Sequence, residues 1–146
     1  MSADDLDLAL RLADQADELT MARFGALDLR VETKPDLTPV TDADRGAEEA
    51  LRAALSQARR DDSVFGEEFG GTTSSTGRQW VIDPIDGTVN FVYGIEAYAV
   101  SVGVQIDGVS VAGAVVNVAT GELYSAAVGH GATVTRDGVS TALRCN

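Results

Sequence analysis

Cysteine is almost absent from this chain. Its one thiol, Cys145, stands beside the last residue, so no internal disulfide can form and a reducing compartment is expected. Long apolar runs are missing too: none approaches the ~20 residues that a membrane-spanning helix needs. No charged-then-apolar leader opens the chain, so a soluble, cytoplasmic protein is expected, with no membrane partner. Positive charge is scarce. Lys34 is the lone lysine, and 11 basic residues against 23 acidic ones leave a net charge of −12. That balance argues against nucleic acid and anionic membranes, which select basic surfaces. It suits carboxylates gathered around cations, although acid also serves solubility and needs no other reason at most positions. Repeats and linker-like stretches are lacking as well. At 146 residues the chain is long enough for one domain, which buries roughly 68–70% of its unfolded surface.

What is present begins with "SADDLDLALRLADQADELTMARFG", where Leu6, Ala9, Leu10, Ala13, Ala16 and Leu19 recur at helical spacing. Ser2 and Asp5 suggest a capping box, and Gly25 a stop. Two of the three prolines fall in 28–40, which is therefore expected to be a loop or extended arm. A second helix is expected after Thr41, with Ala43, Ala47, Leu51, Ala54 and Ala58 on one face; Gly46 costs it roughly 1 kcal/mol relative to alanine. "SVFGEEFGG" (63–71) reads as a short strand ending in two glutamates, and "RQWVID" as another strand. From Tyr98 the period becomes two. Tyr98, Val100, Val102, Val104 and Ile106 alternate with Ala99, Ser101, Gly103 and Gln105, and Asp107-Gly108 marks a hairpin. The second face is small rather than charged, so the two helices are expected to pack on it. The fold class expected is α+β, with two N-terminal helices layered on a mainly antiparallel sheet.

The chemistry gathers in "WVIDPIDGTVNF" (80–91). The strand ending Val81-Ile82-Asp83 delivers a carboxylate, and Pro84, lacking an N–H, is expected to stop the ladder there. Asp86 follows one turn later, Gly87 permits close backbone approach, and Thr88 opens a short helix. Two close carboxylates repel unless one is protonated or a cation lies between them. Oxygen ligands suit Mg²⁺ or Ca²⁺, and Mg²⁺ characteristically combines one or two carboxylates with waters and phosphate oxygens. Glu67 could supply a third carboxylate. A bare D-x-x-D has a plainer reading, a turn at a strand end.

The full string is more specific. "GEE" at 66–68, "WVIDPIDGTVNF" and "KPDLTPVTDADR" (34–45) together resemble the signature of the inositol monophosphatase family, Mg²⁺-dependent, lithium-sensitive phosphomonoesterases with histidinol-phosphate phosphatases among their relatives. The resemblance implies a layered sandwich of the sugar-phosphatase type. It makes Glu67, Asp83, Asp86 and the main-chain carbonyl of Ile85 metal ligands, with Glu67 also in the catalytic set. Asp44 and the Thr88 hydroxyl would orient and activate the attacking water. Gly87 and Thr88 would hold phosphate through their N–H groups, with Glu68 one layer further out. The implied partner is a small phosphorylated metabolite, inositol 1-phosphate or histidinol phosphate, and the implied assembly a homodimer. Each residue has a rival role. Asp44 and Thr88 could be helix caps only; Lys34 and His130 read as solvated loop residues, Cys145 as an incidental thiol and Trp80 as core.

The chain departs from the family in one respect. Members run to nearly twice this length and carry a W-D-x-A-A-G-like segment whose aspartate binds a further metal, which nothing here matches. Residues 1–146 are thus expected to be the N-terminal metal-binding domain, with an exposed sheet edge. A fragment, a shortened chain, or a second half supplied by another chain would each explain this. Up to about Gly71 the resemblance leans to the histidinol-phosphate branch and from "GTVNF" onward to the inositol-phosphate branch, as a recombined or designed sequence would. The alternative to an enzyme is a metal- and phosphate-binding piece without turnover. The plainest alternative is an acidic α+β interaction domain.

Overall fold

The computed structural model describes residues 2–146, with side chains from residue 3 onward. The elements run α1 (Ser2–Arg23), β1 (Val31–Thr33), β2 (Pro39–Thr41), α2 (Asp42–Ala58), β3 (Ser63–Gly66), β4 (Arg78–Asp86), α3 (Thr88–Val92), β5 (Ala99–Ile106), β6 (Val109–Asn117), β7 (Glu122–Ala127), β8 (Gly131–Arg136) and β9 (Val139–Leu143). β3 to β9 form one seven-stranded sheet in chain order. β3 runs parallel to β4, and every later pair is antiparallel. The expected α+β layering is therefore what forms.

Helix α1 buries Leu8, Ala9, Leu12, Ala13 and Ala16, a spacing of one, three, one and three that keeps one face inward. This stripe is rotated from the expected one: Leu8 and Leu12 are inside, while Leu6 and Leu10 are only partly covered and Leu19 is exposed. With alanine at three of these five inward positions the helix approaches the sheet closely, and Leu8 and Leu12 fill the remaining gaps. The expected box between Ser2 and Asp5 rests on a side chain outside the described residues. Asp5 is buried and lies 3.4 Å from the Arg59 guanidinium and 3.3 Å from that of Arg78, which ties α1 to the end of α2 and to β4. Helix α2 buries Ala43, Ala47, Leu51 and Leu55, whereas Ala58 is exposed.

The two helices cover the valine face of the sheet and leave the small-residue face open, contrary to expectation. Val100, Val102 and Val104 of β5 and Ala112, Ala114 and Val116 of β6 lie in one cluster with Leu8, Leu12, Leu51, Leu55, Trp80 and Ile82. Area decides this. A buried valine or leucine contributes about 1.5–3 kcal/mol, and glycine and serine on the other face offer little to bury. Trp80 is core, as expected, and its indole N–H donates to Asp62 at 2.9 Å. Asp107-Gly108 and Asp137-Gly138 turn the β5–β6 and β8–β9 hairpins, with both residues of each pair at positive φ, the signature of a type I′ turn. β9 is the outer strand and all five of its residues are exposed, as expected of an open edge.

Segment 28–40 is more ordered than a loop. β1 and β2 pair as an antiparallel ribbon whose tip is closed by Lys34 N–H to the Thr38 carbonyl at 2.8 Å and Leu37 N–H to the Lys34 carbonyl at 2.9 Å. The ribbon carries Lys34 over the end of the sheet where the acidic motif lies.

Candidate metal and phosphate centre

Strand β4 does not stop at Pro84; it bulges there and continues to Asp86. Asp83 pairs with Ser101 and Asp86 with Ala99, three steps on β4 against two on β5. Proline has no N–H to give the ladder, so the extra residue is accommodated where no bond is lost. The bulge has a chemical consequence. Residues three apart on an even strand point to opposite faces, but these two pair with neighbours two apart, so both carboxylates share a side. Gly87 follows with φ at 106°, and a Cβ there would lie 3.0 Å from the Ala97 carbonyl oxygen. Glycine is thus required to turn the chain from β4 into α3. Gly87 is also the N-cap of α3, so Thr88 lies inside the helix and is not its cap.

Thr88 has another task. Its hydroxyl lies 2.9 Å from Asp44 Oδ1 and 3.2 Å from the Ile85 carbonyl, both acceptors. Asp44 is only 1% exposed, and its other oxygen, Oδ2, accepts the Thr41 N–H at 2.8 Å and the Thr41 hydroxyl at 2.5 Å. The capping box expected at the start of α2 therefore forms. The choice between cap and site residue dissolves, because one oxygen serves each role.

Glu67 and Glu68 lie in a tight turn closed by reciprocal bonds between Gly66 and Gly70, both 2.9 Å. β3 pairs in parallel with β4, and Glu67 N–H donates to the Ile82 carbonyl at 3.2 Å, which brings the turn beside Asp83. Glu67 is half exposed and Glu68 nearly buried. Lys34 Nζ stands 3.6 Å from Glu67 Oε1 and 3.3 Å from Glu68 Oε2. Lys34 is therefore not the solvated loop residue expected; the ribbon delivers its charge to these two acids. His130 and Cys145 are exposed, as expected.

The acids share one electrostatic field. Burial, then the neighbouring charges of Asp86 and Glu67, push the Asp83 carboxyl up to about 7. Burial, and then Asp44, also raise Glu68 above the usual carboxylate range, against the pull of Lys34. Among the described residues no three Asp, Glu, His or Cys side chains close around a single point, Glu67 being drawn toward Lys34. The residues nevertheless suit a hard cation. The donors are all oxygen, and their mutual repulsion is what a dication relieves. Of the expected site residues, Asp86 and Glu67 lie within electrostatic reach of Asp83 without closing on one point, and Asp44 joins Thr88, while Glu68 lies next to Glu67 under Lys34. The Ile85 carbonyl is engaged by Thr88 in this state.

Comparison with known proteins decides the family. The model of the inositol monophosphatase family matches residues 3–145. The chain belongs to the inositol monophosphatase family. A histidinol-phosphatase of Mycobacterium tuberculosis is 57% identical over 138 residues, covering 94% of this chain and 53% of its own length. An inositol-1-monophosphatase of Mycobacterium bovis is 48% identical over 137 residues, covering 90% of this chain and 47% of its own length. Among solved structures, the extragenic suppressor protein suhB from Bartonella henselae superposes with a TM-score of 0.83 at 30% identity, over 90% of this chain and 52% of that one. Mycobacterium tuberculosis SuhB gives 0.69 at 40% identity, over 97% and 49%. The chain thus spans about half the length of the curated relatives it matches. Sequence reasoning passed over Glu48, whose buried carboxylate meets the acidic turn from α2. Its only signal was an acidic residue on the inward edge of an otherwise apolar stripe.

Proposed function

We propose that this chain carries the metal- and phosphate-binding part of a Mg²⁺-dependent phosphomonoesterase acting on a small phosphate monoester. Histidinol phosphate is the first candidate and inositol 1-phosphate the second, following the order of identity to relatives so named. The observation that carries this is the field around Asp83, whose carboxyl is raised to about 7 by burial and by the charges of Asp86 and Glu67, a repulsion that a cation would relieve.

Asp83, Asp86, Glu67 and the Ile85 carbonyl would hold the ion, which supplies charge to a phosphate ester and acidity to a coordinated water. Asp44 and Thr88 supply the proton path. Because the Thr88 hydroxyl donates to Asp44 Oδ1, its oxygen lone pairs are oriented to accept a proton from a water, while its own proton moves toward Asp44. The backbone N–H groups of Gly87 and Thr88 would hold the ester's phosphate. Lys34 offsets part of the charge of Glu67 and Glu68 until the cation arrives. The expected homodimer, cytoplasmic location and lithium sensitivity belong to the same proposal.

A second reading, a metal- and phosphate-binding piece without turnover, is favoured by the chain's half-length match. Calorimetric Mg²⁺ binding and one activity assay separate them. Phosphate release from histidinol phosphate and from inositol 1-phosphate is measured with Mg²⁺, with chelator and with Li⁺. Mg²⁺-dependent, Li⁺-inhibited release supports the enzyme; Mg²⁺ binding without release supports the second reading, and neither binding nor release contradicts both.

A further inference from the structure

We propose that Glu48 is a positioning residue for the metal centre, its buried carboxylate setting the height of the turn that carries Glu67; this rests on the metal reading above. Glu48 is fully buried on α2. Its Oε1 accepts the Glu68 N–H at 2.7 Å, and its Oε2 accepts the Phe69 N–H at 3.0 Å and the Arg52 Nε–H at 2.9 Å. Arg52 then donates to the Gly70 carbonyl at 2.5 Å. The pair thus grips the turn by both polarities, N–H groups on the carboxylate and a C=O on the guanidinium.

The fit is close. A Cβ on Gly66 would lie 2.3 Å from the Glu48 carboxyl carbon and 2.4 Å from each oxygen. Gly66 is therefore glycine so that the turn can lie directly against the carboxylate. A buried carboxylate is costly unless each oxygen is matched, and a hydrophobic residue would close the core with less loss. What the charge adds is a defined geometry for the two glutamates. Spacing supports this. Asp44, Glu48 and Arg52 fall four apart on one edge of α2, about 6 Å per step along the axis. One rigid helix therefore sets both the Thr88 hydroxyl, through Asp44, and the Glu67 turn, through Glu48. The proton path and the third carboxylate are thereby held in fixed relation.

The test compares the wild-type chain with Glu48→Gln and with Arg52→Met, a milder change at a partly exposed position. Two readouts are taken: amide exchange of Glu68 and Phe69 without metal, and Mg²⁺ affinity by calorimetry. Glu48→Gln is expected to speed exchange at both amides while β4–β6 stay protected, and to raise the Mg²⁺ Kd by about tenfold or more, as changes behind metal ligands typically do. Arg52→Met should move both in the same direction by less. A purely structural role would lower the melting temperature and leave the Kd of the folded chain equal to wild type, and that result overturns the proposal. Unchanged exchange at Glu68 and Phe69 overturns it as well. If the wild type takes up no Mg²⁺, the metal reading fails, and the exchange result alone then decides whether Glu48 holds the turn.

Discussion

At the scale of single residues, Asp83 dominates. Its carboxyl titrates near 7 because burial and the charges of Asp86 and Glu67 oppose ionisation. In the metal-free protein the folded state therefore holds a proton that the unfolded state, titrating near 3.8, has released. Between those pH values the native form binds more protons, so stability falls as pH rises from about 4 to about 7. Melting curves across that range should show the decline for the wild type and a flatter profile for Asp83→Asn, whose metal-free fold should be the more stable at pH 8. Equal slopes would contradict the assignment. Thr88 is the second decisive residue. Replacing it by valine keeps its volume and removes the proton path to Asp44, so phosphate release should fall by about 10²–10⁴-fold. Unchanged turnover would remove Thr88 from the chemistry.

At the scale of elements, the bulge in β4 and the turn at Gly87 do the positioning. Gly87→Ala forces a side chain onto a left-handed backbone against the Ala97 carbonyl, and should cost about 1–3 kcal/mol in chemical denaturation. α1 can be checked in the same way: Leu12→Ala in the buried stripe should cost about 2–5 kcal/mol, and Leu19→Ala on the exposed side far less. The contrast tests the rotated face directly. That face shows the reach of sequence reading. A helix with leucine or alanine at 10 of its 22 positions satisfies two neighbouring stripes equally, and only the sheet decides between them. The valine face of β5 was plain in the alternation, but which face the helices would cover was not, because small residues can mark either a packed interface or an open one. Pro84 looked like the end of a strand because a missing donor breaks an even ladder; a bulge, which needs no donor there, is invisible without the partner strand.

At the scale of the whole molecule, the site is assembled from α2, the turn after β3, the end of β4 and the tip of the β1–β2 ribbon. The contributions carried by a continuous motif were legible: Asp83, Asp86, Gly87 and Thr88 in one string, Glu67 and Glu68 in another, and Asp44 in a helix start. Those that depend on folding were not. Lys34 reaches Glu67 and Glu68 only because the ribbon bends over the sheet, and Glu48 meets amides 20 and 21 residues further along the chain. For Glu48 the one local sign is its place on the inward edge of α2, and that place is not enough to separate it from a solvated acid.

The most direct measurement is a calorimetric titration of the metal-free chain with MgCl₂ at pH 8, where Asp83 is ionised, set beside the same titration of Asp83→Asn. Saturable binding by the wild type that disappears in Asp83→Asn, with both proteins folded by circular dichroism, is the predicted result. Equal heats from the two proteins would contradict it.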